Sequence, residues 1–299
     1  MIRLLLLAVL IAPGLTGAQQ VGSVPAYFLQ LPASVATALI AEANTSTLYR
    51  YVVTQQGTKL DDESYMSVGQ NGVSKRRAWD RRTPLGIYFV NEQLDTSALH
   101  DKYGPTAFPL DYPNVWDRLS GRSGDGIWIH GVAVGGDRRP PLDTDGCIAL
   151  PNEELLAVSD LLTPLVTPVI ITRNIRWISR QELLFLRERL LSALDAWVGS
   201  NLSGDMHSYL ALYDDGFQHR GMNKDEWSAY RLQTIGTAKV RDFFLKDVLL
   251  LADPEEEGLY LSRFRQTITD ATRRVVTVKR LYWRESADGT LRIVAEDNG

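Results

Sequence analysis

"LDTDGCIALPN", residues 142–152, carries the only cysteine of a 299-residue chain, and "IWIHG", residues 127–131, carries one of its four histidines. How Cys147 is read decides both the fold and the chemistry. Alternation over 127–130 predicts a short strand, with Trp128 and His130 on one face and Ile127 and Ile129 on the other. Cys147 follows His130 by 17 positions (147 − 130), across a glycine-containing loop. Beyond it, "EELLAVSDLL" has helical spacing, with Pro151 or Asn152 at its start and Glu153 and Glu154 in its first turn. Two readings compete for the thiol. A lone cysteine is usually a small buried hydrophobe. A cysteine beside an imidazole and a helix N-terminus has a lowered pKa and is a nucleophile. Gly146 has no side chain to block approach, and the amides around Gly146 and Cys147 are candidates for an oxyanion contact.

Composition admits two domains of moderate size, with 44% hydrophobic and 23% charged residues. A net charge of −4 gives no global positive field, so nucleic acid is not an expected partner. The opening "MIRLLLLAVLIAPGLTGAQQ" sets Arg3 before an apolar run and small residues at 16–18, which predicts a signal peptide over 1–18 cleaved after Ala18. An uncleaved anchor is the alternative. The run 4–12 is too short to span a bilayer, and no stable membrane span is expected after cleavage. In an oxidising compartment one exposed thiol is a liability unless it is used, which favours the nucleophile.

After an N-terminal segment at 19–36, strands are expected at 37–43 and 47–53, joined by a turn at 44–46, with a second turn at 55–58 and a further strand ending at Val68. Lys75, Arg76, Arg77, Arg81 and Arg82 form a basic loop, read as a solvated loop or as an attractor of an acidic polymer. Residues 87–90 and 167–172 read as strands, and the loop 103–126 leads into the His130 strand. The second half has a different grammar. An amphipathic helix is expected over 180–200, ending at Gly199. Two shorter helices follow, one with Asp205 near its N-cap and one capped by Asn223, and then about four strands. This pattern predicts an α+β cone.

His130-Gly131, the variable loop and Thr144-Asp145-Gly146-Cys147-Ile148 together resemble the signature of the YkuD-type L,D-transpeptidase domain, in its periplasmic branch with Asp-Gly-Cys-Ile-Ala-Leu. "TPLGIYF" (83–89), "YGPTAFPLDYPNVWDR" (103–118) and "TPVIIT" (167–172) extend the resemblance over 38–173. The region from 179, with "DMHSYLALYDDGF" and "KDEWSAYR", resembles an NTF2-like cone. The implied architecture is a mostly β catalytic domain, a β-sandwich with short helices, at 37–175, followed by an α+β NTF2-like domain at 179–299. The pairing is similar to that of cell-shape-determining L,D-carboxypeptidases.

The resemblance implies a periplasmic enzyme acting on peptidoglycan stem peptides. Cys147 would attack the carbonyl of diaminopimelate and His130 would move the proton. The Gly131 carbonyl would orient the imidazole, and Gly146 would contact the oxyanion. The thioester then passes to an amine, as in an L,D-transpeptidase, or to water, as in an L,D-carboxypeptidase that trims tetrapeptides to tripeptides. A wall-binding module with an inert site is the reading of a different class. Two departures bear on the acceptor: Asp145 stands where relatives carry histidine, and Ala149 where they often carry arginine. Asp145 is expected to turn outward or bind the substrate amine, since an inward carboxylate raises the thiol pKa.

Arg118, Arg138 and Arg139 are candidates for stem-peptide carboxylates, and Tyr112 and Trp128 for the cleft wall. His100, His207 and His219 are too scattered to suggest a metal, and no cofactor is expected. Asp214, Asp215, His219 and Arg231 are candidate polar groups of a cone pocket, which is expected to dock substrate, a periplasmic protein or a ligand.

Overall fold

Leu39 and Ala41 point one way along strand Thr37–Glu42, Ala38 and Ile40 point the other, and all four are fully buried. A strand covered on both faces reads as a continuous apolar run, and that double burial organises the chain. The computed structural model describes residues 22–299 except 56, 134, 137, 236–239 and 272, and gives the backbone alone at 234 and 235. The expected signal peptide at 1–18 lies outside the described residues.

Thr37–Glu42 sits at the centre of a five-stranded sheet, in the order Gly57–Tyr65, Thr47–Thr54, Thr37–Glu42, Pro168–Thr172, Gly86–Phe89. One face, with Leu39, Ala41, Tyr88, Val169 and Ile171, packs on Phe108, Ile129 and Ile148 of a second, four-stranded sheet. This is the β-sandwich expected from the sequence. The second sheet runs Ile148–Ala149, Trp128–His130, Thr106–Pro109, Leu94–Asp95, and carries the His130 and Cys147 segments. Strand Gly57–Tyr65 pairs antiparallel with Thr47–Thr54, Thr54 opposite Gly57, so the chain reverses within the expected turn at 55–58. Its solvated edge position lets it be written in charged residues, "TKLDDESY", without an apolar stripe.

The other face of the five-stranded sheet, with Ala38, Ile40, Ile87, Phe89 and Ile170, packs on Leu249, Leu251, Leu261 and Tyr282 of the second domain. The two domains therefore share one apolar interface. Leu250, Ala252, Leu281 and Trp283, the alternate residues of the same strands, line the cone interior. The cone has the four long antiparallel strands expected: Asp242–Ala252, Leu259–Thr269, Arg274–Glu285 and Leu291–Asp297.

The N-terminal segment belongs to both halves. Ser23–Pro25 pairs with Trp177–Ser179, and Phe28–Gln30 extends the cone sheet beside Asp242–Ala252. The long helix is Arg180–Ser203, capped by Ser179 at its start and by Gly204 in the left-handed region at φ 70°. It runs past Gly199, where it was expected to end, because the helix stops only where a glycine takes the αL cap. Helix Met206–Ala211 is capped by Asp205 as expected, and the "YDDGF" that follows is strand Tyr213–His219. Asn223 and Glu226 form a reciprocal cap for helix Lys224–Ile235, with Glu226 N donating to Asn223 Oδ1 and Asn223 N to Glu226 Oε2.

Candidate active site

Trp128–His130 lies between Thr106–Pro109, antiparallel, and Ile148–Ala149, parallel, with Ile129 opposite Ile148 and His130 opposite Ala149. One more step of that register sets Cys147 beside Trp128. Trp128, His130, Cys147 and Ala149 therefore share one face of the sheet, while Ile129 and Ile148 anchor the other in the core. Here the pleat, not sequence proximity, brings imidazole and thiol together.

His130 is buried, and its Nδ1 lies 2.6 Å from the Gly131 carbonyl oxygen. A carbonyl can only accept, so Nδ1 carries the proton and Nε2 is left as a base. Burial is the main cause that pushes the imidazole down to about 4; the Gly131 carbonyl opposes it, and Arg139 and Lys102 add to it. The ring is neutral at pH 7. Tyr103 meets it edge-on at 5.2 Å between centroids and packs on Trp128 at 4.8 Å.

The Gly131 carbonyl is itself held in place. Gly131 N donates to Tyr103 O (3.0 Å), and the Asn152 side chain clamps Val132, accepting from its N–H (2.8 Å) and donating to its carbonyl (3.0 Å). A Cβ on Gly131 would collide with Asn152 Oδ1, which is why a glycine follows the histidine. The sequence suggested Asn152 as a helix start. The helix does begin there, over Asn152–Ser159, but its N-cap is Pro151 and the Asn152 amide serves the histidine loop instead.

Cys147 is half-buried, and its Sγ donates to the Gly126 carbonyl at 3.4 Å. Burial pushes the thiol above its ordinary value and Asp145 adds to this, against the Trp128 backbone amide, Lys102 and Lys75. This corrects the expected lowering by a helix N-terminus. Strand Ile148–Ala149 intervenes, and the helix starts only at Asn152.

Gly146 is required by geometry: its φ is +127°, and a Cβ would lie 2.7 Å from Arg82 O. Its amide donates to Thr144 Oγ1 (3.1 Å) and its carbonyl accepts from Thr83 Oγ1 (2.8 Å). The expected oxyanion contact from the Gly146 amide is therefore corrected, because that N–H is committed to Thr144.

Cys147 and His130 open into a cleft of about 710 Å³ walled by Tyr103, Lys102, Arg81 and Arg139, a size that holds one small-molecule ligand or peptide end. Asp145 turns outward and sits between Arg81 Nε and Lys102 Nζ, 3.8 Å from each. Arg139 donates to the Asp143 carbonyl at 3.0 Å. Trp128 is half-buried behind Tyr103.

The other candidates lie elsewhere. Tyr112 is in the core, its hydroxyl donating to Ser123 O at 3.0 Å. Arg118 donates to the Pro113 carbonyl on the outside of its helix. Arg138 stacks on the Tyr65 ring at 3.2 Å. Sequence reasoning missed Lys102 and Tyr103, whose only signal was their place at the start of the long loop. The basic loop is also more than solvated polarity. Lys75 is buried and paired with Asp80 at 2.8 Å. Burial opposes ionisation of Asp80, but Lys75 and the amides of Arg76, Arg77 and Arg82 hold its carboxyl at about 2.

Among the described residues no group of three or more His, Cys, Asp or Glu side chains is placed to hold a metal, and no helix is long and apolar enough to cross a membrane. In the cone, His219 is buried against Trp227 and the Glu296 carbonyl. Arg231 lies over the Tyr209 and Trp227 rings, while Asp215 pairs outside with Lys224.

With this geometry in view, YkuD, the L,D-transpeptidase catalytic domain, matches residues 38–171. The chain carries an L,D-transpeptidase catalytic domain. The Cds6 C-terminal NTF2-like domain matches residues 189–297. Bd1075 from Bdellovibrio bacteriovorus has the same fold at a TM-score of 0.78 and 22% identity, over 93% of this chain and 98% of its own. The helical cell shape determining protein Pgp2 from Campylobacter jejuni follows at 0.73 and 24%, over 88% and 91%. No curated relative matches the sequence. Residues 38–171 are thus an L,D-transpeptidase catalytic domain, and an NTF2-like domain follows it.

Proposed function

We propose that the protein is a periplasmic L,D-carboxypeptidase that trims peptidoglycan tetrapeptide stems to tripeptides, with Cys147 as nucleophile, His130 as general base and acid, and water as the acyl acceptor. One observation carries this reading: a thiol and a neutral imidazole with a free Nε2 share one face of a strand pair, at the bottom of a single cleft.

Nε2 of His130 takes the thiol proton as Sγ attacks the carbonyl of the diaminopimelate residue. The C–N bond to the terminal D-amino acid then breaks, and the imidazolium returns the proton to the leaving amine. A water attacks the resulting thioester while His130 accepts its proton, and the thiol re-forms as the tripeptide carboxylate leaves. The Gly131 carbonyl holds the imidazole in the required tautomer throughout. Arg139 and Lys102 attract stem carboxylates, and Asp145 is placed to meet the diaminopimelate ammonium.

The choice of water is supported by the two departures from typical relatives, Asp145 for histidine and Ala149 for arginine, which bear on transfer to an amine and leave the acyl-enzyme step intact. The architecture shared with a helical cell shape determining protein supports a role in cell shape. The leader at 1–18 supports export. Transpeptidation is the second reading, favoured by the catalytic-domain match itself. Incubation with purified muropeptides followed by mass spectrometry separates them: tripeptide without new dimers is expected, and crosslinked dimers as the main product would overturn hydrolysis. Binding without any product would return the inert wall-binding reading.

A further inference from the structure

Trp79 is 94% exposed, against 62% for Phe185, the next most exposed large apolar side chain among the described residues. It also holds φ at 64°, a left-handed conformation that a bulky residue rarely adopts. Exposure and backbone strain both disfavour this placement, and the surrounding loop enforces it. Asp80 Oδ1 accepts from Lys75 Nζ and Arg82 N, and Oδ2 from the amides of Arg76 and Arg77, at 2.7–3.1 Å. Asn71 Nδ2 donates to the Asp80 carbonyl and Ser123 N to the Arg76 carbonyl, tying the loop to its neighbours. A strained, over-determined aromatic marks a functional surface. Trp79 lines the same cleft as Cys147.

The geometry points to Trp79 as a glycan platform: its indole stacks on a pyranose ring of the strand that bears the stem peptide held in the cleft. This rests on the proposed action on stem peptides. One face of a pyranose ring presents axial C–H groups, an apolar surface that a flat indole covers and whose polarised hydrogens its electron-rich face attracts. The stem is covalently tied to that sugar, and its first three residues span on the order of 10 Å when extended. A sugar therefore lies near the cleft rim whenever diaminopimelate is at Cys147. Exposed Arg76, Arg77 and Arg81 flank the indole and complement free carboxylates along the stem. The platform makes the enzyme select stems that are still attached to glycan.

Two measurements test this. The first is the ratio of kcat/KM for a disaccharide-tetrapeptide over the free tetrapeptide. It is expected to fall at least about fivefold in Trp79→Ala and to be largely restored in Trp79→Tyr. The second needs no catalysis: binding of soluble glycan strands stripped of their stems, expected for the full chain and lost in Trp79→Ala. Trp79→Gly should lose glycan binding while raising Tm by ~2 °C, because the φ strain is relieved. A ratio and glycan affinity unchanged in Trp79→Ala would overturn the platform. So would single-stranded DNA binding the loop as tightly as glycan, which would make it a general anion surface. Glycan binding that persists when no muropeptide is processed would sink the proposed function and spare the platform.

Discussion

Two histidines in this chain are held in nearly the same way and are set to different tasks. His130 donates Nδ1–H to the Gly131 carbonyl at 2.6 Å, His219 donates to the Glu296 carbonyl at 3.0 Å, and burial lowers both imidazoles. His130 leaves Nε2 to a cleft that contains a thiol. His219 is packed at 4.7 Å against Trp227, in a closed cluster where Lys279 Nζ meets Glu296 Oε1 at 2.5 Å and the Tyr213 hydroxyl donates to Glu296 Oε2 at 3.0 Å. A depressed imidazole therefore reports burial, and only its neighbour turns it into a candidate for chemistry.

The sharpest way to break the comparison is at the thiol. Cys147→Ala is expected to lower muropeptide turnover by at least about 10⁴-fold, with Tm unchanged within about 2 °C in a thermal scan. His130→Ala should lower kcat/KM by about 10³-fold, whereas His219→Ala, assayed per folded molecule, should change it less than about threefold. The cone responds in stability instead. Glu296→Ala strands the Lys279 ammonium in the interior and should cost about 3–5 kcal/mol in urea unfolding. A loss of activity without that loss of stability would contradict a structural cluster.

Acid should act on the cleft in a defined direction. In the proposed mechanism the neutral imidazole is the active form, and burial keeps it neutral down to about 4, so the acid limb of kcat/KM is expected near pH 4 and not near the ordinary ~6.5. Between those values the unfolded chain binds a proton at His130 that the folded chain does not, so stability falls as pH drops through that window. The smallest effect is at Asp145, whose charge raises the thiol. Asp145→Asn should speed iodoacetamide alkylation of Cys147 a few-fold at pH 7.

Much of this was legible in the sequence, because short-range pattern carried it. Alternation in "IWIHG" put His130 and Trp128 on one face, and the run at 37–43 read as a strand because both its faces are buried. Asp205 and Asn223 announced their helices as caps. What failed was direction. Tyr112, Arg118 and Arg138 lie in or near the right loops, but spacing does not say that Tyr112 turns inward, that Arg118 folds back on Pro113, or that Arg138 stacks on Tyr65. The expected helix effect on Cys147 failed because four residues, strand Ile148–Ala149 and then Leu150 and Pro151, separate the thiol from the helix. Asn152 and Asp80 were invisible as organisers, since each acts on backbone distant in sequence or on a loop whose composition reads only as basic.

The central claim is that Cys147 carries the acyl group and His130 moves the proton. Intact-protein mass spectrometry of a rapidly quenched reaction with disaccharide-tetrapeptide tests it most directly. The account predicts a disaccharide-tripeptide acyl adduct that maps to Cys147 and is not formed by His130→Ala. Full turnover by Cys147→Ala, or an adduct on any other residue, would contradict it.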